Sequence, residues 1–304
     1  MVKSKILDFY HRRKVLITGG AGFIGSNLSK ALVDAGAHVT ILDNFSTGNV
    51  ENLNNVLHKI ELIVGDIRSK EDCGKAVADK SVIFHMAAIA SVPEAEKNPQ
   101  KCKEINVMGT KTLFSATADQ KLAPKIIFSS SAAVYGDHKG VCRESIKPNP
   151  LSIYAVSKLE GERLCQNYCK RNNACAIALR YFNVYGKTQA QKKENSGVIA
   201  TFTAALKSGC KITFFGDGSQ MRDYVHVSKV VDANMVAAAS IIPEFDIFNV
   251  ASGKSISLTQ LIRNLEKETG LKNVGIEVKP ERSGDIMHSL ADCSKLKKLL
   301  KSTQ

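Results

Sequence analysis

Lys14-Val15-Leu16-Ile17-Thr18-Gly19-Gly20-Ala21-Gly22-Phe23-Ile24-Gly25-Ser26-Asn27-Leu28 decides how this chain is read. It opens with an apolar run of the kind that forms a buried parallel strand. It turns through Gly19, Gly22 and Gly25, spaced three apart, and continues as a helical pattern of Phe23, Leu28, Ala31 and Leu32 that stops near Gly36. Strand, glycine turn and helix together aim a helix N-terminus at a phosphate. The glycines serve a tight turn, close approach of a pyrophosphate and close packing of helix on strand. A second apolar run, 38–42, ends in Asp43, 18 residues beyond Gly25. A carboxylate there can hydrogen-bond an adenosine ribose, and Asn44 next to it, with no adjacent arginine, favours NAD over NADP.

Working outward, apolar runs alternate with helical patterns. Strands are predicted at 14–18, 38–42, 60–64, 81–85, 125–129 and 175–180, with helices between them, including 100–119 and 153–171. This rhythm predicts an α/β fold, a Rossmann-type doubly wound parallel sheet. Residues 1–13 read as a polar lead-in. Beyond 183 the elements shorten: helix 197–208, strand 211–215, helix 228–240, strand 246–250, helix 257–269, strand 274–278 and helix 292–301. They suit a smaller C-terminal α/β substrate lobe resting on the strand ends. The division is 1–182 and 183–304, a soft boundary across which segments can pass.

Bulk properties bound the function. The 304 residues are 44% hydrophobic, and no apolar run reaches the ~18–20 residues of a membrane span. Met1-Val2-Lys3-Ser4-Lys5 lacks a signal-peptide core, so the expectation is a cytoplasmic protein. None of the eight cysteines forms a Cys-x-x-Cys pair, and Cys165 with Cys169 has no second cluster to complete a metal site. They read as reduced thiols filling space, with no metal. The net charge of +13 comes from dispersed lysines without interleaved aromatics. It reads as a basic surface suited to an anionic small molecule rather than to nucleic acid.

Further candidate residues recur at successive strand ends, where open α/β sheets bind ligands. Asp66, in Gly65-Asp66-Ile67, can accept from an adenine amine. His85-Met86-Ala87-Ala88-Ile89 ends a strand in small residues that let backbone approach a dinucleotide. Asn106 sits on the helix that follows. The fifth strand ends in Ser129-Ser130-Ser131-Ala132-Ala133-Val134-Tyr135-Gly136, and Tyr154-Ala155-Val156-Ser157-Lys158 comes some twenty residues later. Tyr154 and Lys158, four apart on a helix, share a face. An ammonium beside a phenol stabilises the phenolate and is expected to lower its pKa, giving a general base, with Ser131 positioning the same substrate hydroxyl.

With these motifs assembled, the chain resembles the extended short-chain dehydrogenases/reductases and, within them, the UDP-glucose 4-epimerase-like sugar-nucleotide epimerases. The resemblance runs from about 14 to 293. Besides the glycine turn, Asp43-Asn44-Phe45, segment 129–136 and the Tyr-x-x-x-Lys, it rests on Leu179-Arg180-Tyr181-Phe182-Asn183-Val184-Tyr185-Gly186, Arg222-Asp223-Tyr224-Val225-His226-Val227 and Arg282-Ser283-Gly284-Asp285. It implies Ser131, Tyr154 and Lys158 as the catalytic trio. For NAD it implies Gly19, Gly22, Phe23, Ile24, Gly25, Asp43, Asn44, Phe45, Ser46, Thr47, Gly48, Asp66, Ile67, Met86, Ala87, Ala88, Ile89, Asn106, Ser129 and Phe182, together with Tyr154 and Lys158. For the nucleotide sugar it implies Ser131, Asn183, Gly197, Val198, Thr213, Phe215, Arg222, Arg282, Asp285 and Ser289. Two arginines from separate segments suit a bidentate diphosphate clamp, and Phe215 can pack on a base.

The implied activity is 4-epimerisation, most simply of UDP-glucose and UDP-galactose, through a transient 4-keto sugar and with NAD retained. Related dehydratases and decarboxylases place acids directly after the catalytic Ser/Thr. Here Ala132 and Ala133 stand there, which argues against elimination. Ala90 replaces a lysine that stands near the cofactor in some epimerases. Ser289 stands where a bulky residue goes with simple hexoses and a small one with N-acetylated sugars, so UDP-GlcNAc and UDP-GalNAc are expected as further substrates. The resemblance also implies a homodimer paired through the helices at 100–119 and 153–171. The competing readings are an epimerase or reductase of UDP-glucuronate or another nucleotide sugar, and a non-catalytic dinucleotide-binding sensor.

Overall fold

In the computed structural model, the described residues are 4–117, 120–121, 123–186, 197–242, 244–280 and 286–302. The strands are β1 (Lys14–Thr18), β2 (His38–Asp43), β3 (Ile60–Val64), β4 (Val82–His85), β5 (Lys125–Ser131), β6 (Ala176–Tyr181), β7 (Asn183–Tyr185), β8 (Ile212–Phe215), β9 (Met221–His226), β10 (Phe245–Val250), β11 (Ser255–Ser257) and β12 (Ile276–Lys279). The helices are α1 (Ser4–Tyr10), α2 (Phe23–Asp34), α3 (Lys70–Val77), α4 (Val92–Lys97), α5 (Pro99–Lys103), α6 (Thr110–Ser115), α7 (Ile153–Asn172), α8 (Val198–Ser208), α9 (Val227–Ala239), α10 (Leu258–Thr269) and α11 (Ser294–Ser302).

Seven strands form one parallel sheet in the order β10-β6-β5-β4-β1-β2-β3. Successive strand residues point to opposite faces, so both faces must be covered. Val15, Ile17, Ile41, Phe84, Ile127 and Ile177 pack in one layer with residues of α2 and α9. Leu16, Leu42, Ile83, Ile126, Phe128 and Ala178 pack in the other with residues of α3, α6 and α7. Six of the strands lie where the sequence places them. The seventh, β10, was expected in the smaller lobe but pairs with β6, Phe245 opposite Ala176 through Val250 opposite Tyr181. Val227–Ala239 carries the chain back to the sheet, its apolar face packed in the same layer as α2.

Two other expectations are corrected. The polar lead-in contains α1. Its buried Ile6 and Tyr10, four residues apart, lie in the α9 layer, and the Tyr10 hydroxyl donates to the Met235 carbonyl at 2.7 Å. Two anchors in seven residues are too few to show a helical period in the sequence. The long helix expected at 100–119 is α5, a π-helical stretch Glu104–Gly109, and α6. A widened turn of this kind often marks a functional site, and it holds Asn106.

The remaining strands form two small sheets, β11-β9-β7 and β12-β8. Phe202, Leu206, Ile212, Phe214, Leu261, Ile262 and Leu265 make a separate apolar cluster between α8, β8 and α10. No helix among the described residues is long and apolar enough to cross a membrane.

One ion pair fixes α7 against the sheet. Arg180 on β6 is 1% exposed, and its Nε and Nη2 donate to the two Glu162 carboxylate oxygens at 2.8 and 2.7 Å. Ser130 donates to Glu162 at 2.6 Å, and the guanidinium lies 4.6 Å from the Tyr135 ring centroid. Removing one partner of such a pair strands the other charge. Glu162→Gln should therefore lower unfolding free energy by about 3–5 kcal/mol, read from urea denaturation. A loss under about 1 kcal/mol would show that the pair does not hold the helix.

Candidate active site

The strand order reverses between β1 and β4, and the glycine turn stands at that reversal. Gly19 has φ +71°, and a Cβ there would lie 2.7 Å from the Ala87 nitrogen. A Cβ on Gly25 would lie 2.3 Å from the Gly19 carbonyl oxygen. Only glycine allows the turn, the β4 loop and α2 to approach this closely. Gly22 caps α2 without a side chain, so the first-turn N–H groups before Phe23, Ile24 and Gly25 face outward for a phosphate. The Phe23 ring lies against Gly186, just past β7.

The loop after β2 folds back onto this turn. Asp43 accepts from the Ala21 nitrogen at 2.9 Å and from the Phe45 nitrogen at 2.8 Å, one on each oxygen. Each oxygen keeps a lone pair for a ribose hydroxyl, and its charge opposes a 2′-phosphate. Asn44 accepts from the Ser46 nitrogen, and Gly48, beyond Thr47, packs on Ala21. This donor and acceptor set fits NAD. Asp66 is less free than expected. Asn44 donates to it at 2.9 Å and Arg68 clamps it through Nε, Nη2 and its backbone N–H. The Arg68 contacts, foremost, hold its carboxyl at about 2. An adenine amine would have to displace one of these donors.

Asn106 has a different task from the expected cofactor contact. Its Oδ1 accepts from the Ile89 nitrogen at 2.8 Å, and its Nδ2 donates to the Ile89 carbonyl at 3.0 Å and to Ser157 Oγ at 2.9 Å. It clips the 86–89 loop to α7. Ile67 and Phe182 are buried side chains. Ile67 packs on Gly109 and Phe182 on Tyr135, so they shape the walls.

The catalytic candidates meet at the ends of β5 and α7. Ser152 caps α7 by accepting from the Ala155 nitrogen at 3.1 Å, which sets Tyr154 in the first turn and Lys158 one turn on. Lys158 is buried and donates to the Ser129 carbonyl at 2.8 Å, its Nζ 5.8 Å from the Tyr154 ring centroid. Burial brings the ammonium down to about 8. Burial also pushes the Tyr154 phenol up to about 12, with a Ser131 hydrogen bond pulling the other way. The expected lowering of the Tyr154 pKa is therefore absent in the protein alone. Desolvation of the phenolate outweighs a lysine that sits over the ring rather than against the oxygen.

His85 was quoted in the sequence only as a strand end, yet it joins both sides of the crevice. Thr110 Oγ1 donates to the Asn106 carbonyl at 2.7 Å, so it accepts from His85 Nε2–H at 2.8 Å. That tautomer leaves Nδ1 to accept from Thr18 Oγ1 at 2.7 Å, and Thr18 in turn accepts from the Met86 and Ala87 nitrogens at 3.2 Å each. The chain of bonds runs from the end of β1 to the π-helical stretch. Ala88 lies in the loop it supports.

In the second lobe, Asn183 opens β7 opposite Tyr224 of β9, Gly197 caps α8 ahead of Val198, and Arg222 lies on β9. Thr213 on β8 donates to Glu277 at 3.1 Å, and the buried Gln220 side chain donates to the Phe215 carbonyl. Ser289 is half-buried in the segment before α11. Arg282 and Asp285, half of the expected diphosphate clamp, lie outside the described residues, as does loop 187–196. Met108 and Val156 are exposed on the two helical stretches expected to pair copies.

Residues 15–251 match the model of the NAD dependent epimerase/dehydratase family. The chain belongs to this family. A putative UDP-glucose 4-epimerase of Methanocaldococcus jannaschii is 35% identical over 287 residues, 94% of this chain and 92% of that protein. The solved UDP-N-acetylglucosamine 4-epimerase of Methanobrevibacter ruminantium, in complex with UDP-N-acetylmuramic acid, superposes with a TM-score of 0.89 at 37% identity, over 95% and 92% of the two chains. The UDP-glucose 4-epimerase of Thermus thermophilus, solved with NAD, gives 0.87 at 31% identity, over 94% and 92%. NAD is thus the cofactor of the family, in agreement with Asp43 and the uncapped α2.

Burial, with the Lys158 charge adding to it, holds the His85 imidazole down at about 3. The unfolded chain takes up this proton near ~6.5. The neutral imidazole therefore contributes stability above that pH, and the contribution is lost as pH falls toward the folded value. Between pH 6 and 4.5, urea unfolding of the wild type should lose roughly 1.4 kcal/mol more per pH unit than His85→Gln. Parallel profiles would refute the buried neutral histidine.

Proposed function

We propose that this protein is a UDP-hexose 4-epimerase that keeps its NAD bound, with UDP-glucose and UDP-galactose as its simplest pair. The observation that carries this reading is the meeting of Ser131, Tyr154 and Lys158 at the ends of β5 and α7, with Ala132 and Ala133 where a dehydratase would need an acid. Bound oxidised NAD supplies a positive charge that favours the Tyr154 phenolate and a reversible hydride acceptor for the sugar C4.

The chain's own groups do the rest. Tyr154 takes the proton of the 4-hydroxyl and returns it after the keto sugar has turned over. Ser131 shares that hydroxyl and holds it against Tyr154. Lys158, fixed on the Ser129 carbonyl, biases the phenol toward ionisation. Arg222 holds the diphosphate while the sugar reorients. Ser289, small where the sugar is walled, admits an N-acetyl group, so UDP-GlcNAc and UDP-GalNAc interconvert as well.

Purified protein incubated without added NAD should interconvert a C4 pair from a panel of UDP-glucose, UDP-galactose, UDP-GlcNAc, UDP-GalNAc and UDP-glucuronate. Tyr154→Phe should lose about 10²–10⁴-fold in kcat, the worth of a general base, and keep its NAD. Turnover of the glucuronate alone, or full activity in Tyr154→Phe, would overturn this reading.

A further inference from the structure

We infer that Asp137 and Asp223 are positioning residues that tie segment 286–292 to both halves of the site, so that nucleotide binding in the second lobe is felt at the loop after Ser131. Asp223 adjoins Arg222 and is 0% exposed. Its carboxylate takes four donors: Ser252 N at 2.8 Å, Ser252 Oγ at 2.7 Å, Gly253 N at 2.9 Å and Ala291 N at 3.3 Å. A buried carboxylate needs hydrogen bonds in place of its water, and here three backbone amides and the Ser252 hydroxyl supply them. They are drawn from the turn after β10 and from the segment ahead of α11.

Asp137 anchors the other end. It follows Gly136 directly, and its Oδ1 accepts from the Met287 and His288 nitrogens at 3.0 and 3.2 Å. Between the anchors the backbone is laced to both halves. Met221 on β9 donates to the Met287 carbonyl at 2.9 Å. Cys142 donates to the Leu290 carbonyl at 2.8 Å and accepts from Asp292 at 2.9 Å. Ser289 stands midway along this tie. Its backbone therefore cannot retreat to make room, and side-chain size alone decides what fits beside it. Both the coupling and that last point rest on the nucleotide-sugar reading above.

The test is hydrogen–deuterium exchange with UDP as the probe, on the NAD-loaded protein. In the wild type, UDP should slow amide exchange across 131–142 as well as around Arg222. Asp137→Ala removes a surface acceptor and leaves the buried Asp223 in place, so the protein folds with an unchanged melting temperature. Its Met287 and His288 amides should exchange about tenfold faster, the worth of a hydrogen bond to a charged group. UDP should still bind but no longer protect 131–142. In the same variant kcat for the active UDP-sugar should fall while KM holds, a split that mere loss of packing would not give. Asp223→Asn should show the same loss of protection and, in addition, a lower melting temperature. UDP protection of 131–142 that survives Asp137→Ala, or that is absent from the wild type, would overturn the coupling. Absence of turnover with the exchange pattern intact would instead overturn the 4-epimerase reading.

Discussion

The bidentate pair between Glu162 and Arg180 sets where α7 sits, and α7 sets the chemistry. Tyr154, Lys158 and Glu162 recur every fourth residue and so share one helical face. The last of them is locked to β6 and to Ser130 on β5. That lock brings Lys158 onto the Ser129 carbonyl and leaves the Tyr154 phenol on Ser131. A shift of α7 along the sheet would misplace base and lysine together relative to Ser131 on β5. A small displacement of such groups is costly to rate. The pair also occupies the sheet interior, where a charge without its partner would be worse than none.

Around this anchor Tyr154 and Lys158 are buried. Burial raises Tyr154 and lowers Lys158, so both drift toward their neutral forms when the protein stands alone. Positive charge added beside the phenol would favour its ionisation. His85 serves the same economy of charge. As a neutral imidazole between two threonines it can bond both sides of the crevice, whereas an imidazolium would lose its acceptor nitrogen.

The sequence made the glycine turn, six of the strands and the Tyr-x-x-x-Lys legible because each depends on local pattern: an apolar run, a fixed glycine spacing, a four-residue repeat. It did not reveal that β10 returns to the sheet, because a strand's partner is set by the helix that carries it back. The protein partners of Asn106 and Asp66 were hidden for a related reason. Position suggests a ligand for both, but not that their side chains also bond Ile89 and Ser157, and Arg68 and Asn44. Arg180, Asp223 and His85 lie inside recognisable motifs and Glu162 just beyond one, but nothing local shows that a charged or polar residue is buried. The signal that would have found them is a polar side chain inside an otherwise apolar strand, as at Arg180 and His85.

In the proposed 4-epimerisation Tyr154 handles only the oxygen-bound proton, while the carbon-bound hydrogen at C4 leaves and returns without meeting water. UDP-galactose carrying deuterium at C4, incubated with the protein in ordinary water, tests it directly. The account predicts UDP-glucose with the deuterium still at C4, formed more slowly than from the unlabelled sugar. Product that has exchanged its label with solvent would contradict it, because the hydrogen would then have left as a proton.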